Sequence, residues 1–133
     1  MILADTSAWI ELLSGRVERP TADQLSQFVT SRADCAGTAA RFARGTGQRG
    51  ISRSLLAIPC LSDPLPLGLF LEAADIYREG RRKGHTIRST IDCLIAMIAI
   101  DNGIEIWHRD RDYDAIAKFT PLRVAQRIPP RVQ

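Results

Sequence analysis

The sequence predicts an α/β fold in which helices flank a mainly parallel sheet. Residues 1–4 and 104–108 are short apolar segments with the character of buried strands, and residues 122–124 could add an edge strand. The segments between them carry apolar residues at helical spacing, bounded by capping residues. Strands that alternate with helices are typical of a parallel sheet.

Two helices are predicted in the N-terminal part of the chain. Thr6 or Ser7 can cap the first of them, directly after the first strand. A pattern that resembles a capping box begins near Thr21 and predicts the second helix. We expect Phe28 and Val29 to point inward from that second helix.

Three further helices are predicted in the C-terminal part. Apolar residues at helical spacing indicate one helix over residues 69–83. The next begins at Ser89 or Thr90 and ends at residues 102–103, an Asn-Gly pair that favours a helix C-terminus. Asp112 can cap the last helix.

Size and composition indicate one ordinary globular domain over residues 1–133. The chain is 45% hydrophobic and 25% charged, and no apolar run reaches the roughly 18 residues of a membrane span. No basic leader precedes the first apolar residues, so we expect no signal peptide. The three cysteines are far apart and form no C-x-x-C pair, which favours a reducing cytoplasm over a disulfide or zinc framework. The net charge of +3 permits a polyanionic partner.

Residues 31–62 differ in composition from the sequence on either side. They contain five arginines, one aspartate and no glutamate, a net charge of +4, together with four glycines. Few apolar residues are available there to offset the entropy of folding, so we expect this segment to be the least ordered part of the chain.

Aspartates follow both principal strands, where parallel sheets gather functional groups. Asp5 comes directly after the first strand, and Asp110 and Asp112 follow the second. Asp92 lies in the first turn of the helix that begins near Ser89. Several carboxylates at one place repel each other, so we expect a raised pKa in at least one of them without metal. Oxygen ligands with no cysteine or histidine favour Mg²⁺ or Mn²⁺ over zinc.

Each of these features also has a simpler interpretation. Asp5 could only cap the first helix, and Asp92 could only favour the dipole of its own helix. His108 is expected to be a core residue at a strand end. The basic residues near Asp92 could form a solvated surface or bind RNA phosphates. The candidate RNA-binding residues are Arg81, Arg82, Lys83, Arg88 and Arg109.

Three motifs together resemble the PIN-domain ribonucleases, specifically the VapC-type toxins of toxin–antitoxin pairs. Residues 2–9 (ILADTSAW) resemble the opening motif of that family, and residues 87–96 (IRSTIDCLIA) resemble the motif around its central aspartate. Residues 108–113 (HRDRDY) resemble its closing motif. Each motif alone is weak, but the three occur in the expected order and at the expected spacing.

The resemblance implies a three-layer, Rossmann-like PIN fold and an endoribonuclease that depends on Mg²⁺ or Mn²⁺. Such a toxin would cleave tRNA, rRNA or mRNA, inhibit translation, form a homodimer and be neutralised by a cognate VapB antitoxin. Four positions would be catalytic, with the first three as metal ligands: Asp5, Asp92, Asp110 and Asp112. Thr6 would orient Asp5, and Ser89 would support the site from a second sphere.

The sequence departs from the family pattern at one acidic position. The family has a glutamate roughly 35–40 residues after the first aspartate, whereas residues 38–43 read TAARFA and the nearest acid is Asp34. Compensating reading-frame shifts across residues 31–62 would explain the change, and a divergent segment is the alternative. An impaired PIN-fold module that binds antitoxin and RNA is therefore the rival function. A phosphoryl-transfer fold with Asp5 as nucleophile is disfavoured, because Ser7 stands where a second aspartate is needed.

Overall fold

The computed structural model describes residues 1–13, 27–31, 34 and 58–125. The described part contains three strands and four helices. In chain order they are β1 (Ile2–Ala4), α1 (Thr6–Leu13), β2 (Phe28–Val29), α2 (Leu67–Arg82), α3 (Thr90–Asp101), β3 (Glu105–Trp107) and α4 (Arg111–Ala117).

The three strands form a parallel sheet in the order β2-β1-β3. A single parallel bridge extends the sheet beyond β2, between Thr30 and Cys60, and another joins Ile106 of β3 to Val124. The parallel sheet expected from the alternating pattern is therefore confirmed. The edge strand expected at residues 122–124 is reduced to that one bridge.

Phe28 and Val29 lie in a strand, so the prediction of a helix over these two residues was wrong. Phe28 pairs with Ile2 of β1, and its ring stacks on Trp107 with the centroids 4.9 Å apart. A short apolar run has no periodicity that separates a strand from a buried helix, and here the pairing with β1 decides. The expected start of that helix near Thr21 lies outside the described residues.

Alternate residues of the strands face opposite sides of the sheet, which gives the three layers. Leu3 and Ile106 face the larger core, which contains buried residues of α2, α3 and α4. Ala4 and Trp107 face the smaller core, where they meet Trp9 of α1. The apolar α3 has six buried residues. A helix in this position is fixed by packing along most of its circumference.

Capping residues place the two helices that carry the C-terminal aspartates. Ser89 caps α3 by accepting a hydrogen bond from the Ile91 amide, as expected, and Gly103 follows the helix with φ of 63°. The cap of α4 is Asp110, not Asp112 as predicted, because Asp110 has the extended backbone of a cap and accepts from the Asp112 amide. The caps therefore place Asp92 in the first turn of α3 and Asp112 in the first turn of α4.

Most of the atypical segment 31–62 lies outside the described residues, so its expected disorder and its origin stay predictions. Of the helices in the described ranges, none combines the length and the apolar character that crossing a membrane requires.

Candidate functional site

Four aspartates meet where β1 and β3 end and where α3 and α4 begin. Asp5 directly follows β1, and Asp92 lies in the first turn of α3. Asp110 caps α4, and Asp112 lies in its first turn. Carboxylate oxygens of Asp92, Asp110 and Asp112 all lie within 4.8 Å of one another. We call these three residues the carboxylate cluster.

Asp5 is buried beside the carboxylate cluster and held by three hydrogen bonds. One of its oxygens accepts from the Ser7 amide at 2.9 Å and from the Ser7 hydroxyl at 2.6 Å. The other accepts from the Tyr113 hydroxyl at 2.5 Å. The Ser7 oxygen in turn accepts from the Arg109 amide at 2.8 Å, which ties α1 to the end of β3. The residue that orients Asp5 is thus Ser7, not Thr6.

Tyr113 connects Asp5 to the carboxylate cluster and was not singled out from the sequence. Its hydroxyl also lies 3.4 Å from an oxygen of Asp92. Burial, followed by the charges of Asp5 and Asp92, raises the pKa of the Tyr113 phenol well above its usual value, so it is a proton donor here. The position of Tyr113 directly after Asp112, in the first turn of α4, is the signal that could have identified it.

Thr6 contacts Asp34, the acid nearest to the missing glutamate in the sequence. The amide and hydroxyl of Thr6 lie 3.0 and 3.3 Å from one Asp34 oxygen, and the Ser31 hydroxyl lies 2.7 Å from the other. Burial raises the pKa of the Asp34 carboxyl well above its usual value, and the charge of Asp5 raises it further. Asp34 therefore stands next to Asp5 as a weakly acidic group that helps to fix the start of α1.

Among the residues that the structure describes, Arg88 is a cation that contacts the carboxylate cluster. Its guanidinium lies 2.7 Å from an Asp110 oxygen and 3.2 Å from an Asp112 oxygen. Its backbone amide also donates to Asp112 at 3.1 Å. The neighbouring Arg109 instead forms an ion pair with the buried Glu11 of α1.

The other predicted RNA-binding residues lie at the C-terminal end of α2. Arg81 lies over the Tyr77 ring at 5.2 Å, and Arg82 and Lys83 both form ion pairs with Glu79. All three residues are exposed, so they are accessible to a large anion. The predicted RNA-binding set is therefore not one patch: Arg88 lies at the cluster, Arg109 pairs with Glu11, and the other three lie at the end of α2.

His108 lies in the core at the end of β3, as expected. Its Nδ1 accepts a hydrogen bond from the Asp110 amide at 3.0 Å, so the ring proton belongs on Nε2. That Nε2 is 3.2 Å from an Asp114 oxygen but is not aligned for a hydrogen bond. The ring supports the turn that carries Asp110.

Asp92 is a member of the carboxylate cluster in an environment that disfavours its charged form. Burial, then the charges of Asp5, Asp110 and Asp112, raises its pKa to about 7. The raised pKa expected from the sequence is confirmed, although burial contributes more than repulsion. Oxygen ligands that repel each other in this way fit a hard divalent cation, which would relieve the repulsion.

The raised pKa of Asp92 predicts that the metal-free protein loses stability as the pH rises. The folded chain binds more protons than the unfolded chain between the unfolded pKa near 4 and the folded pKa near 7, so the free energy of unfolding falls across that interval. We expect a loss of roughly 1–2 kcal/mol between pH 5 and pH 8 after solvent screening. Thermal unfolding at several pH values in EDTA measures it. Asp92→Asn should flatten the profile, and an equally steep profile in that variant would contradict this assignment.

Comparisons with known proteins agree with this architecture. The PIN domain family matches residues 2–119. The VapC ribonuclease Mb1587 of Mycobacterium bovis and the ribonuclease VapC11 of Mycobacterium tuberculosis are each 38% identical over 132 residues, covering 94% of this chain and 98% of the relative. The structure of VapBC-1 from nontypeable Haemophilus influenzae matches with a TM-score of 0.70 at 18% identity, covering 94% of this chain and 97% of that one. This chain therefore belongs to the PIN domain family, among its VapC members.

Proposed function

We propose that this protein is a toxin-type endoribonuclease that depends on Mg²⁺ or Mn²⁺ and inhibits translation by cleaving tRNA, rRNA or mRNA. One observation carries the proposal, namely the meeting of Asp92, Asp110 and Asp112 beside Asp5 at the ends of two parallel strands. Four acidic groups at one place are costly to keep without a cation. The ribonuclease names of the two mycobacterial relatives support RNA as the substrate.

The donor set indicates what each residue would contribute. The motifs imply Asp5, Asp92 and Asp110 as the metal ligands. Because oxygens of Asp92, Asp110 and Asp112 lie within 4.8 Å of one another, Asp112 takes the place of Asp5 in the set that would hold the cation. The cation, when bound, would supply Lewis-acid stabilisation of a phosphodiester under attack. Asp5 is held by Ser7 and Tyr113, so its carboxylate is preorganised at the edge of the cluster.

Positive charge around the site would position the RNA backbone. Arg88 borders the carboxylate cluster, and the exposed Arg81, Arg82 and Lys83 end the preceding helix α2. Contacts of this kind with phosphates fix the register of a nucleic acid without reading its bases. Arg109 would act mainly by joining β3 to α1, because it forms an ion pair with Glu11.

A cognate VapB antitoxin and a second copy of the chain are the proposed protein partners. A similar solved structure is that of VapBC-1, which supports an antitoxin partner. Leu67, Phe70 and Leu71 lie exposed at positions i, i+3 and i+4 of the N-terminal end of α2, so they share one apolar face that a protein partner could cover.

The alternative function is an impaired PIN-fold module that binds antitoxin and RNA but cleaves poorly. Asp34 is held by Thr6 and Ser31 and has a raised pKa, which favours a structural role over that of the missing glutamate. Residues 38–43, where the family glutamate is expected, lie outside the described residues.

Cleavage of a structured RNA with and without a divalent cation tests the proposal. We expect weak cleavage that is strongest at millimolar Mn²⁺ and abolished by EDTA. Loss of one acidic group of the site, here the family glutamate, is expected to lower the rate by roughly one to a few orders of magnitude, about 1.4 kcal/mol for each tenfold. Binding of RNA without any Mn²⁺-stimulated cleavage would favour the binding module instead.

A further inference from the structure

We propose that Arg88 is a resident counter-ion of the carboxylate cluster, and that it competes with the divalent cation for Asp110 and Asp112. The side chain would thereby lower the metal affinity of the site and stabilise the metal-free fold. This inference rests on the proposed function, because it takes the carboxylate cluster to be the metal site.

Arg88 contacts two of the three carboxylates that a cation would need. The guanidinium reaches Asp110 through one terminal nitrogen at 2.7 Å and Asp112 through Nε at 3.2 Å. Asp110 and Asp112 are two of the three residues whose oxygens lie within 4.8 Å of one another. A guanidinium in this position directs its donors at acceptor lone pairs that would otherwise bind the metal.

The charges around the cluster explain why a counter-ion is needed. Oxygens of Asp92, Asp110 and Asp112 lie within 4.8 Å of one another, and the Tyr113 hydroxyl joins Asp5 to Asp92. Of the cationic side chains that the structure describes, Arg88 forms the ion pairs with Asp110 and Asp112. Without metal, Arg88 therefore offsets part of the repulsion between the carboxylates.

The exposure of the three side chains makes the arginine displaceable. The side chains of Asp112 and Asp110 are 3% and 26% exposed, whereas the Arg88 side chain is 54% exposed. The guanidinium can turn into solvent without leaving a buried cavity, and the Arg88 amide can still donate to Asp112. Because the guanidinium end of these ion pairs faces solvent, a divalent cation can take its place at the carboxylates.

Direct binding of Mn²⁺ to metal-free protein, followed by electron paramagnetic resonance of the free ion, tests the competition. Arg88→Met removes the charge and the donors and keeps an aliphatic stem. We expect at least fivefold tighter binding than in wild type, the lower end of typical coupling between two ligands. Arg88→Lys should lie between the two, because an ammonium keeps the charge but lacks the guanidinium fork. Arg78→Met, which removes an exposed ion pair on α2, is the matched control and should bind as wild type does.

A second measurement follows the displaced group itself. The NMR resonance of the Arg88 Nε–H group can be identified because it is absent from the spectra of the methionine and lysine variants. In the wild type this resonance should shift as Mg²⁺ is added. The midpoint of the shift should equal the midpoint of Mg²⁺ binding. Circular dichroism checks the fold of each variant. Because the Mg²⁺ titration uses the wild type, it still tests the competition if one of the variants fails to fold.

The possible outcomes separate this inference from the proposed function. The counter-ion role would be overturned if Arg88→Met bound Mn²⁺ no more tightly than the wild type, or if the Arg88 resonance did not shift when Mg²⁺ was added. Either result would leave RNA cleavage by the wild type intact. A wild type that neither binds Mn²⁺ nor cleaves RNA would overturn the proposed function, and the inference with it.

Discussion

Asp92→Asn should reduce Mn²⁺-dependent RNA cleavage by at least about a thousandfold, to the background of the assay. Asp92 lies at the start of α3, where Asp110 and Asp112 approach it and where the Tyr113 hydroxyl lies 3.4 Å away. The substitution keeps the shape of the side chain but removes one of the charges that would hold the cation. Because the family glutamate is also missing, the loss of a further negative charge should lower the affinity of the site for the cation.

Asp101→Asn is the matched control for this experiment. Asp101 is the last residue of the same helix and is exposed, so the same chemical change occurs away from the carboxylate cluster. Both variants and the wild type are purified in parallel and compared on one structured RNA at millimolar Mn²⁺. Equal rates in wild type and Asp92→Asn would mean that the cleavage comes from a contaminant, and the binding module would then replace the nuclease.

Ile98→Ala should destabilise the protein by about 2–5 kcal/mol, a large part of the 5–15 kcal/mol typical of a domain. Ile98 has no exposed surface and lies in the larger core on α3. The substitution removes three carbons and leaves a cavity that the surrounding residues fill only partly. At a few degrees for each kcal/mol, the melting temperature should fall by roughly 10 °C or more.

Ile91→Ala makes the same change on the same helix at a residue that is 51% exposed. Little surface returns to water there, so we expect a loss of less than about 1 kcal/mol. Thermal or urea unfolding of the three proteins in EDTA measures both changes. Similar losses at positions 91 and 98 would contradict the described packing of α3.

Short-range features of the sequence were enough to identify much of the fold. The Ser89 cap, the C-terminal Asn102-Gly103 pair and the apolar face of α3 depend on residues within a few positions of each other, so they can be recognised locally. The parallel sheet follows from the alternation of strands and helices. The strand at Phe28–Val29 could not be recognised in this way, because it depends on pairing with β1.

The sequence by itself determined which aspartates follow strands and begin helices, and this predicted that Asp5, Asp92, Asp110 and Asp112 would lie together. In the fold Asp92, Asp110 and Asp112 form the cluster, and Asp5 is joined to Asp92 through Tyr113. Only the tertiary structure decided how these groups are held. Tyr113 reaches Asp5 across 108 positions of sequence, and Arg88 reaches Asp110 across 22. No local pattern records such contacts, because hydrogen bonds and ion pairs depend on distances in space that the sheet and the packing of α3 and α4 create.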